Sequence, residues 1–287
     1  MRFGFQSTIT NQQFIMPLTF YKHPALVVYV TCGDPDIATT REIVLAAIEA
    51  GAAVIELGVP FSDPVADGPV IQRASERALR KGTSLAQVLT LAAEIRERAQ
   101  SAGLIVFSYL NPILRMGMEK FCKVARAAGV DGALITDLPV EEAGEYLRAM
   151  RAHDLAPVFL AAPTSPEERL RRIAEASRGF VYAVSRTGVT GQRQQLAQDA
   201  KKLVKRLRRV TKLPIALGFG ISTAEQFAEV GEFADAVVVG SAIVETIERN
   251  RGREAAAVGE FVGKLVGGRL SEDRNQAGSA GNEKRIP

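Results

Sequence analysis

The sequence contains few of the residues from which disulfides and metal sites are built. It has two cysteines, Cys32 and Cys122, which lie far apart and belong to no Cys-x-x-Cys pair. A disulfide framework or a zinc site needs closely patterned cysteines, so the sequence suggests neither. Its two histidines, His23 and His153, are few for a metal site. We therefore expect no bound metal.

Long hydrophobic runs are also missing. Glycine or a charged residue interrupts each apolar stretch before the roughly 20 residues that a membrane-spanning helix needs. The opening segment 1–11 has one basic residue and no long apolar core, unlike a secretory signal. These absences exclude a membrane-spanning protein and predict a cytoplasmic one.

Positive charge is in modest excess, with a net charge of +4, and much of it falls in one segment. Residues 196–210 also carry apolar residues at helical spacing, which places the basic side chains on the outer face of an amphipathic helix. No aromatic residues interleave with the charges, as they do in sites for single-stranded nucleic acid. A solvated helix face therefore explains the cluster better than nucleic-acid binding. The cluster consists of Lys201, Lys202, Lys205, Arg206, Arg208 and Arg209.

Short β-branched runs alternate with longer segments of helical period along most of the chain. This alternation is typical of repeated βα units. The runs are buried-strand candidates because they are continuously hydrophobic rather than alternating. The predicted strands are 25–30, 53–59, 104–109, 132–136, 157–161, 180–184, 214–218 and 236–239. Helical patterns lie between them at 37–50, 85–99, 119–128, 141–152 and 166–176.

This count of units favours one domain, an α/β fold that closes as a single (β/α)8 TIM barrel, which needs about 250 residues. The runner-up is an open, doubly wound parallel sheet. We expect the barrel at 17–270, a flexible N-terminal extension at 1–16, with Met16 as an alternative start, and a disordered polar tail at 271–287.

Glu56 is the first candidate for chemistry, because it interrupts the apolar second strand. A carboxylate among apolar neighbours is costly unless it is used or paired. Burial would raise its pKa toward neutrality, which suits a general acid and base. The alternative is a buried ion pair with a neighbouring strand.

The loop after this strand is long, rich in turn-forming residues, and carries two more acids, Asp63 and Asp67. Each alone is explained equally well as a turn residue. Together with Glu56, an aspartate that stays ionised would give two carboxylates with separate roles, one moving protons and one stabilising positive charge.

Glycine-rich segments follow the last three predicted strands. They are 186–191, 218–222 and 240–243. Glycines let backbone N–H groups approach an anion, and a helix N-terminus such as one opened by Gly240 and Ser241 adds attraction. Phosphate sites in barrels commonly lie in these late loops. The alternative is that the loops are tight only for packing.

Several of these segments resemble those of a known family, the tryptophan synthase alpha subunits. The resemblance is carried first by residues 56–64, ELGVPFSDP, and 66–69, ADGP. Further matching motifs are 31–35, 137–139, 185–191, 218–222 and 240–244. Cys32 departs from the pattern, since a small or apolar residue is usual there. The resemblance extends from residue 24 to about 266.

The resemblance implies an enzyme, a carbon–carbon lyase, that cleaves indole-3-glycerol phosphate to indole and glyceraldehyde 3-phosphate in a retro-aldol step. Glu56 would protonate the indole ring and help remove the hydroxyl proton, Asp67 would hold the indole N–H, and Tyr182 would assist. The implied substrate-binding residues are Tyr29, Phe107, Tyr109, Thr190 and Phe219. The implied phosphate-binding residues are Gly191, Gly220, Gly240 and Ser241.

The resemblance also implies a partner. Family members form an alpha2beta2 complex and pass indole to a beta subunit that holds pyridoxal phosphate, so we expect no cofactor in this chain. Pro60, Asp63 and Asn111 would face that subunit. The alternatives are a stand-alone indole-3-glycerol phosphate lyase, a barrel isomerase of another phosphorylated substrate, and a non-catalytic partner that activates the beta subunit.

Overall fold

The structure is a computed structural model that describes Leu18, Phe20 and residues 22–184, 193–218 and 220–279, the side chains of 193–197 and 268–279 excepted. The strands are β1 Ala25–Thr31, β2 Val54–Gly58, β3 Gly103–Ser108, β4 Gly132–Ile135, β5 Ala156–Val158, β6 Leu160–Ala161, β7 Val181–Val184, β8 Ile215–Gly218 and β9 Ala236–Val239. The helices are α1 Ile37–Glu49, α2 Pro69–Arg80, α3 Leu85–Arg98, α4 Leu110–Met116, α5 Met118–Ala127, α6 Gly144–Ala152, α7 Glu167–Ala176, α8 Arg193–Leu207, α9 Ala224–Gly231, α10 Ser241–Arg249 and α11 Glu254–Ser279.

The strands form one parallel sheet in the order β5-β4-β3-β2-β1-β9-β8-β7-β6. Its two ends, β5 and β6, are separated only by Phe159, whose carbonyl accepts a hydrogen bond from the Tyr182 N–H at 3.1 Å. The predicted strand 157–161 therefore occupies one position in the barrel and is interrupted at Phe159. Its first part, β5, pairs with β4, and its second part, β6, pairs with β7. The nearly closed ring confirms the barrel, and the open doubly wound sheet was wrong.

Alternation along each strand separates two apolar cores. On β1 and β2, Leu26, Val28 and Ile55 pack outward among the helices. Val27 and Val54 belong to a second cluster inside the barrel. Glu56 is two residues beyond Val54, so the same alternation turns its carboxylate into the barrel interior.

The amino-terminal end of the barrel is filled by the residues just before β1. Leu18 is buried, and an added Cβ at Gly179, before β7, would lie 2.7 Å from the Leu18 Cβ. The Phe20 and Phe180 rings pack with centroids 5.5 Å apart. This end is therefore closed by hydrophobic side chains, which leaves the carboxyl end for a site.

Four of the six basic residues lie on α8, as predicted, whereas Arg208 and Arg209 follow its end at Leu207. Leu203, Val204 and Leu207 are buried, whereas Lys202 and Lys205 are exposed. The helical patterns read from the sequence did not include α2, α4, α9 or α11, and α4 is only 7 residues long.

The chain ends lie partly outside the described residues. The backbone of α11 continues to Ser279, into the predicted polar tail. Residues 280–287 and 1–17 lie outside the described part of the chain, so the domain boundaries stay predictions. Among the described residues, no helix combines the length and hydrophobicity needed to cross a membrane.

Candidate active site

A cavity of about 470 Å³ opens at the carboxyl ends of the strands. Side chains from β1, β2, β3 and β7 form one part of its lining, and glycine-rich segments after β8 and β9 form another. Such a volume is ordinary for a small-molecule site. Within the described residues, no cluster of three or more histidine, cysteine or acidic side chains is placed to hold a metal.

Glu56 lies at the base of this cavity, in register with Tyr29 on β1 and Ile105 on β3. Its side chain is buried, and neither carboxylate oxygen has a hydrogen-bond partner among the described residues. Burial in these surroundings raises the pKa of Glu56 to about 8. The ion-pair alternative therefore has no support in the described part of the chain. A carboxyl group in this setting is protonated at neutral pH but close to its titration range.

Asp67 lies in the loop between β2 and α2, where Tyr109 holds it. The Tyr109 hydroxyl donates to Asp67 Oδ2 at 3.2 Å and accepts from the Ala66 N–H at 2.9 Å. Burial raises the pKa of Asp67 to about 6, and the hydrogen bond from Tyr109 opposes that rise. Asp67 is thus mainly ionised at neutral pH while Glu56 is mainly protonated, which is the division of roles that the sequence predicts.

Tyr109 takes a different place from the one predicted for it. Its ring stacks on Phe61 with centroids 4.9 Å apart, and its hydroxyl binds the loop that carries Asp67. It is buried at the end of β3 and does not belong to the described cavity lining. Tyr109 therefore orders the loop, whereas Tyr29 and Phe107 line the cavity.

The two cavity tyrosines each face a strand-terminal glycine. Tyr182 is nearly buried, and its pKa is raised by burial and by the nearby charge of Glu56. A Cβ added at Gly218 would lie 3.0 Å from the Tyr182 hydroxyl, and one at Gly58 would overlap the Tyr29 hydroxyl. These glycines leave room for hydroxyl groups, a reason for glycine that the sequence alone did not reveal.

The predicted phosphate-binding residues that fall within the described part of the chain meet at this cavity. Gly220, Gly240 and Ser241 line it, and α10 begins at Ser241, as predicted. Gly220 has a φ of 54°, a conformation that favours glycine. The first N–H groups of a helix have no partner within the helix and attract negative charge. Thr190, Gly191 and Phe219 lie outside the described residues.

Comparison with known proteins shows the family of the chain. The sequence profile of the family "Tryptophan synthase alpha chain" matches residues 18–266. The chain belongs to the tryptophan synthase alpha chain family. A curated family member from Solibacter usitatus is 53% identical over 234 residues, which are 82% of this chain and 86% of that protein.

Solved structures of the family have the same fold. A mutant tryptophan synthase alpha subunit from Pyrococcus furiosus has a TM-score of 0.80 at 39% identity, covering 86% of this chain and 99% of that one. Tryptophan synthase subunit alpha from Legionella pneumophila has a TM-score of 0.79 at 36% identity, covering 88% and 93%.

The residues expected at the beta-subunit interface of this alpha chain differ in exposure. Asp63 and Asn111 are exposed, in the loop after β2 and on α4, whereas Pro60 is buried within the chain. Two apolar side chains of the same segments, Val65 and Leu114, are also exposed, at 86% and 56%.

Sequence reasoning missed several residues that line the cavity of this alpha chain. Ile71 comes from α2, Ile221 and Ser222 follow β8, and Glu245 lies on α10. Glu245 had a usable signal, because it stands one helical turn after Ser241 and so shares its face. Ile71 also had one, since Val70, Ile71, Ala74 and Ala78 recur at helical spacing, although α2 was not among the predicted helices.

Proposed function

We propose that the chain is the alpha subunit of tryptophan synthase, a lyase that cleaves indole-3-glycerol phosphate to indole and glyceraldehyde 3-phosphate. One observation carries the proposal. Glu56, a buried carboxyl group without a hydrogen-bond partner among the described residues, lines a cavity that the glycine-rich N-terminus of α10 also lines, and the loop that carries Asp67 reaches the same cavity at Ala66. Membership of the alpha chain family supports the same reaction.

Glu56 begins the reaction as the acid. Its proton goes to C3 of the indole ring, which leaves positive charge on the ring nitrogen. Glu56, now ionised, takes the proton of the side-chain hydroxyl next to that carbon. The carbon–carbon bond then breaks, its electron pair returns to the ring, and the hydroxyl oxygen becomes the aldehyde carbonyl. A carboxyl group with a pKa near neutrality can act in both steps.

Asp67 binds the indole N–H and stabilises the charge that develops there. A fixed carboxylate in a partly dry cavity is more effective for this than water. Tyr182 assists beside Glu56, while Tyr29 and Phe107 pack against the indole. The Tyr29 and Phe107 rings already meet edge to face, with centroids 5.1 Å apart and planes at 77°.

The phosphate binds at the opposite end, on the backbone of Gly220, Gly240 and Ser241. Gly191 belongs to this set by resemblance, as Thr190 and Phe219 belong to the indole side. The helix N-terminus at Ser241 supplies partial positive charge for the phosphate.

The partner is a beta subunit in an alpha2beta2 complex, which receives the indole and holds the pyridoxal phosphate. The alpha chain uses no cofactor for its own step. Asp63, Asn111 and the exposed apolar Val65 and Leu114 form the contact surface. The place of action is the cytoplasm, without nucleic acid or membrane as partners.

The test is indole release from indole-3-glycerol phosphate by the purified chain, alone and with a tryptophan synthase beta subunit. We expect slow release alone and a large rise with the partner. Equal rates would favour a stand-alone lyase. No indole under either condition would overturn the assignment in favour of a non-catalytic activator, or of a barrel isomerase if the chain converts another sugar phosphate.

A further inference from the structure

Arg77 lies on α2 at the centre of an ion-pair network that the mechanism above does not use. Its guanidinium donates two hydrogen bonds to Asp34, from Nε to Oδ1 at 2.9 Å and from Nη2 to Oδ2 at 2.7 Å. Its Nη1 donates to Glu248 Oε1 at 2.8 Å. Asp34 follows β1 and Glu248 lies on α10, so one side chain joins three parts of the barrel.

The network is built around a buried charge. The Asp34 side chain is only 1% exposed, and a buried carboxylate is costly unless it is paired and hydrogen-bonded. The bidentate contact with Arg77 balances the charge of Asp34 and also fixes the orientation of the guanidinium. Arg251 adds a weaker contact to Asp34 at 3.5 Å, and Arg73 reaches Glu248 at 3.4 Å.

The two helices joined by Arg77 both begin at the cavity, since Ile71 of α2 and Ser241 of α10 line it. α2 begins directly after the Asp67 loop, and its Gln72 side chain donates to the Asp67 carbonyl at 2.9 Å. α10 begins at Ser241, at the phosphate end. Ala74 of α2 and Val244 of α10 pack in one apolar cluster with Tyr29. A shift of α2 along α10 therefore changes the separation of Asp67 and Ser241.

We propose that Arg77 is a positioning residue, which fixes α2 to Asp34 and α10 and thereby sets Asp67 at the distance from the phosphate site that the substrate spans. The proposal rests on the proposed function, because it takes Asp67 as the group that binds the indole nitrogen. Arg77 itself does not touch the substrate. Its effect on turnover passes through Asp67.

The test is a double-mutant cycle with Arg77→Lys and Asp67→Asn. Lysine keeps a cation beside Asp34, so we expect the chain to stay folded. A single ammonium group cannot make a bidentate contact with Asp34 and also bind Glu248. We expect Arg77→Lys to lower kcat/KM by about 10- to 100-fold in the wild type, since small misplacements of a reacting group have effects of this size. With Asp67→Asn already present, the same change should lower kcat/KM by less than about twofold.

A matched control is Arg80→Lys on the same helix. Arg80 pairs with Glu76 at the exposed surface and contacts neither α10 nor the residues after β1 in the described structure. We expect this variant to keep the kcat/KM of the wild type. Equal losses from Arg77→Lys with and without Asp67→Asn would show a purely structural role and overturn the proposal.

A second variant, Glu248→Gln, separates this proposal from the proposed function. It leaves the Asp34–Arg77 pair in place and weakens only the link to α10. We expect faster amide hydrogen exchange in residues 59–68, including the Ala66 N–H that binds Tyr109. Unchanged exchange there would contradict the positioning role. If the wild type released no indole, the proposed function would fail, while the exchange result would still decide whether the link orders the loop.

Discussion

At the scale of single residues, the site depends on two carboxyl groups whose surroundings separate their pKa values. Glu56 is enclosed by barrel side chains and has no described partner, so burial raises its pKa to about 8. Asp67 is less enclosed and accepts a hydrogen bond from Tyr109, which limits its pKa to about 6. Between these values one group is protonated and the other is ionised, as the proposed reaction requires.

The buried Glu56 should make the chain less stable as the pH rises. Between the ordinary glutamate pKa of 4.5 and about pH 8, the folded protein keeps a proton on Glu56 that the unfolded chain has released. The free energy of unfolding therefore falls across this window, by about 5 kcal/mol at most. Glu56→Gln should remove this decline, which denaturant unfolding from pH 5 to 8 would measure. Parallel pH dependence in the two proteins would contradict a raised pKa.

The activity should show a bell-shaped dependence on pH. kcat/KM falls below about pH 6 as Asp67 is protonated, and above about pH 8 as Glu56 loses the proton that it donates. Tyr109→Phe removes the hydrogen bond that stabilises ionised Asp67, so the acid limb should move to higher pH. Steady-state kinetics would show this shift, and an acid limb that stays in place would exclude Asp67 as its source.

At the scale of elements, the N-terminus of α10 is the feature that we propose binds the phosphate. Ser241→Asp would place a negative charge among the N–H groups that face the cavity, and we expect at least about tenfold weaker binding of inorganic phosphate. Ser241→Asn is the matched control, similar in size but uncharged, and should bind phosphate more tightly than Ser241→Asp. Calorimetric titration measures both. Equal affinities would place the phosphate elsewhere.

Most elements were predictable from the sequence because their patterns are local. The run 236–239 and the strand Ala236–Val239 coincide, and the helix predicted at 85–99 is Leu85–Arg98. The break at Phe159 was not predictable, because a continuous apolar run has the same appearance with or without it. α2 was missed although Val70, Ile71, Ala74 and Ala78 recur at helical spacing, but its link through Arg77 to Asp34, 43 residues away, was not predictable.

In the site too, features with a local sequence pattern were predictable, and features that depend on contacts between distant residues were not. Glu56 was predictable because a lone carboxylate in an apolar run is conspicuous in the sequence itself. The role of Tyr109 in holding the Asp67 loop was not, since a hydrogen bond between residues 42 apart leaves no local pattern. The space that Gly218 leaves for Tyr182 likewise depends on the pairing of β7 with β8.

At the scale of the whole molecule, the two ends of the barrel have different roles. The carboxyl ends carry the site, and the amino ends carry contacts that only stabilise the fold. Arg96 of α3 shows this, because it donates to Asp131 at 2.7 Å and to the Gly129 carbonyl at 3.0 Å. The same Asp131 carboxylate accepts from the Leu104 N–H at 2.8 Å, at the start of β3.

Arg96→Met should therefore affect stability without affecting catalysis. Removing one partner of a largely buried pair typically lowers the free energy of unfolding by about 3 kcal/mol. Arg98→Met, which loses only an exposed pair with Glu42, should lower it by less than about 1 kcal/mol. Denaturant unfolding measures both. A changed kcat in folded Arg96→Met would contradict the separation of the two ends.

The measurement that tests the central claim most directly is product formation from indole-3-glycerol phosphate by wild type and Glu56→Gln, each with a beta subunit. We predict that the wild type forms indole and glyceraldehyde 3-phosphate in equal amounts. Glu56→Gln should be slower by about 1,000-fold or more, while its affinity for inorganic phosphate stays the same. Comparable rates in the two proteins would contradict the assignment of Glu56 as the acid and base of this site.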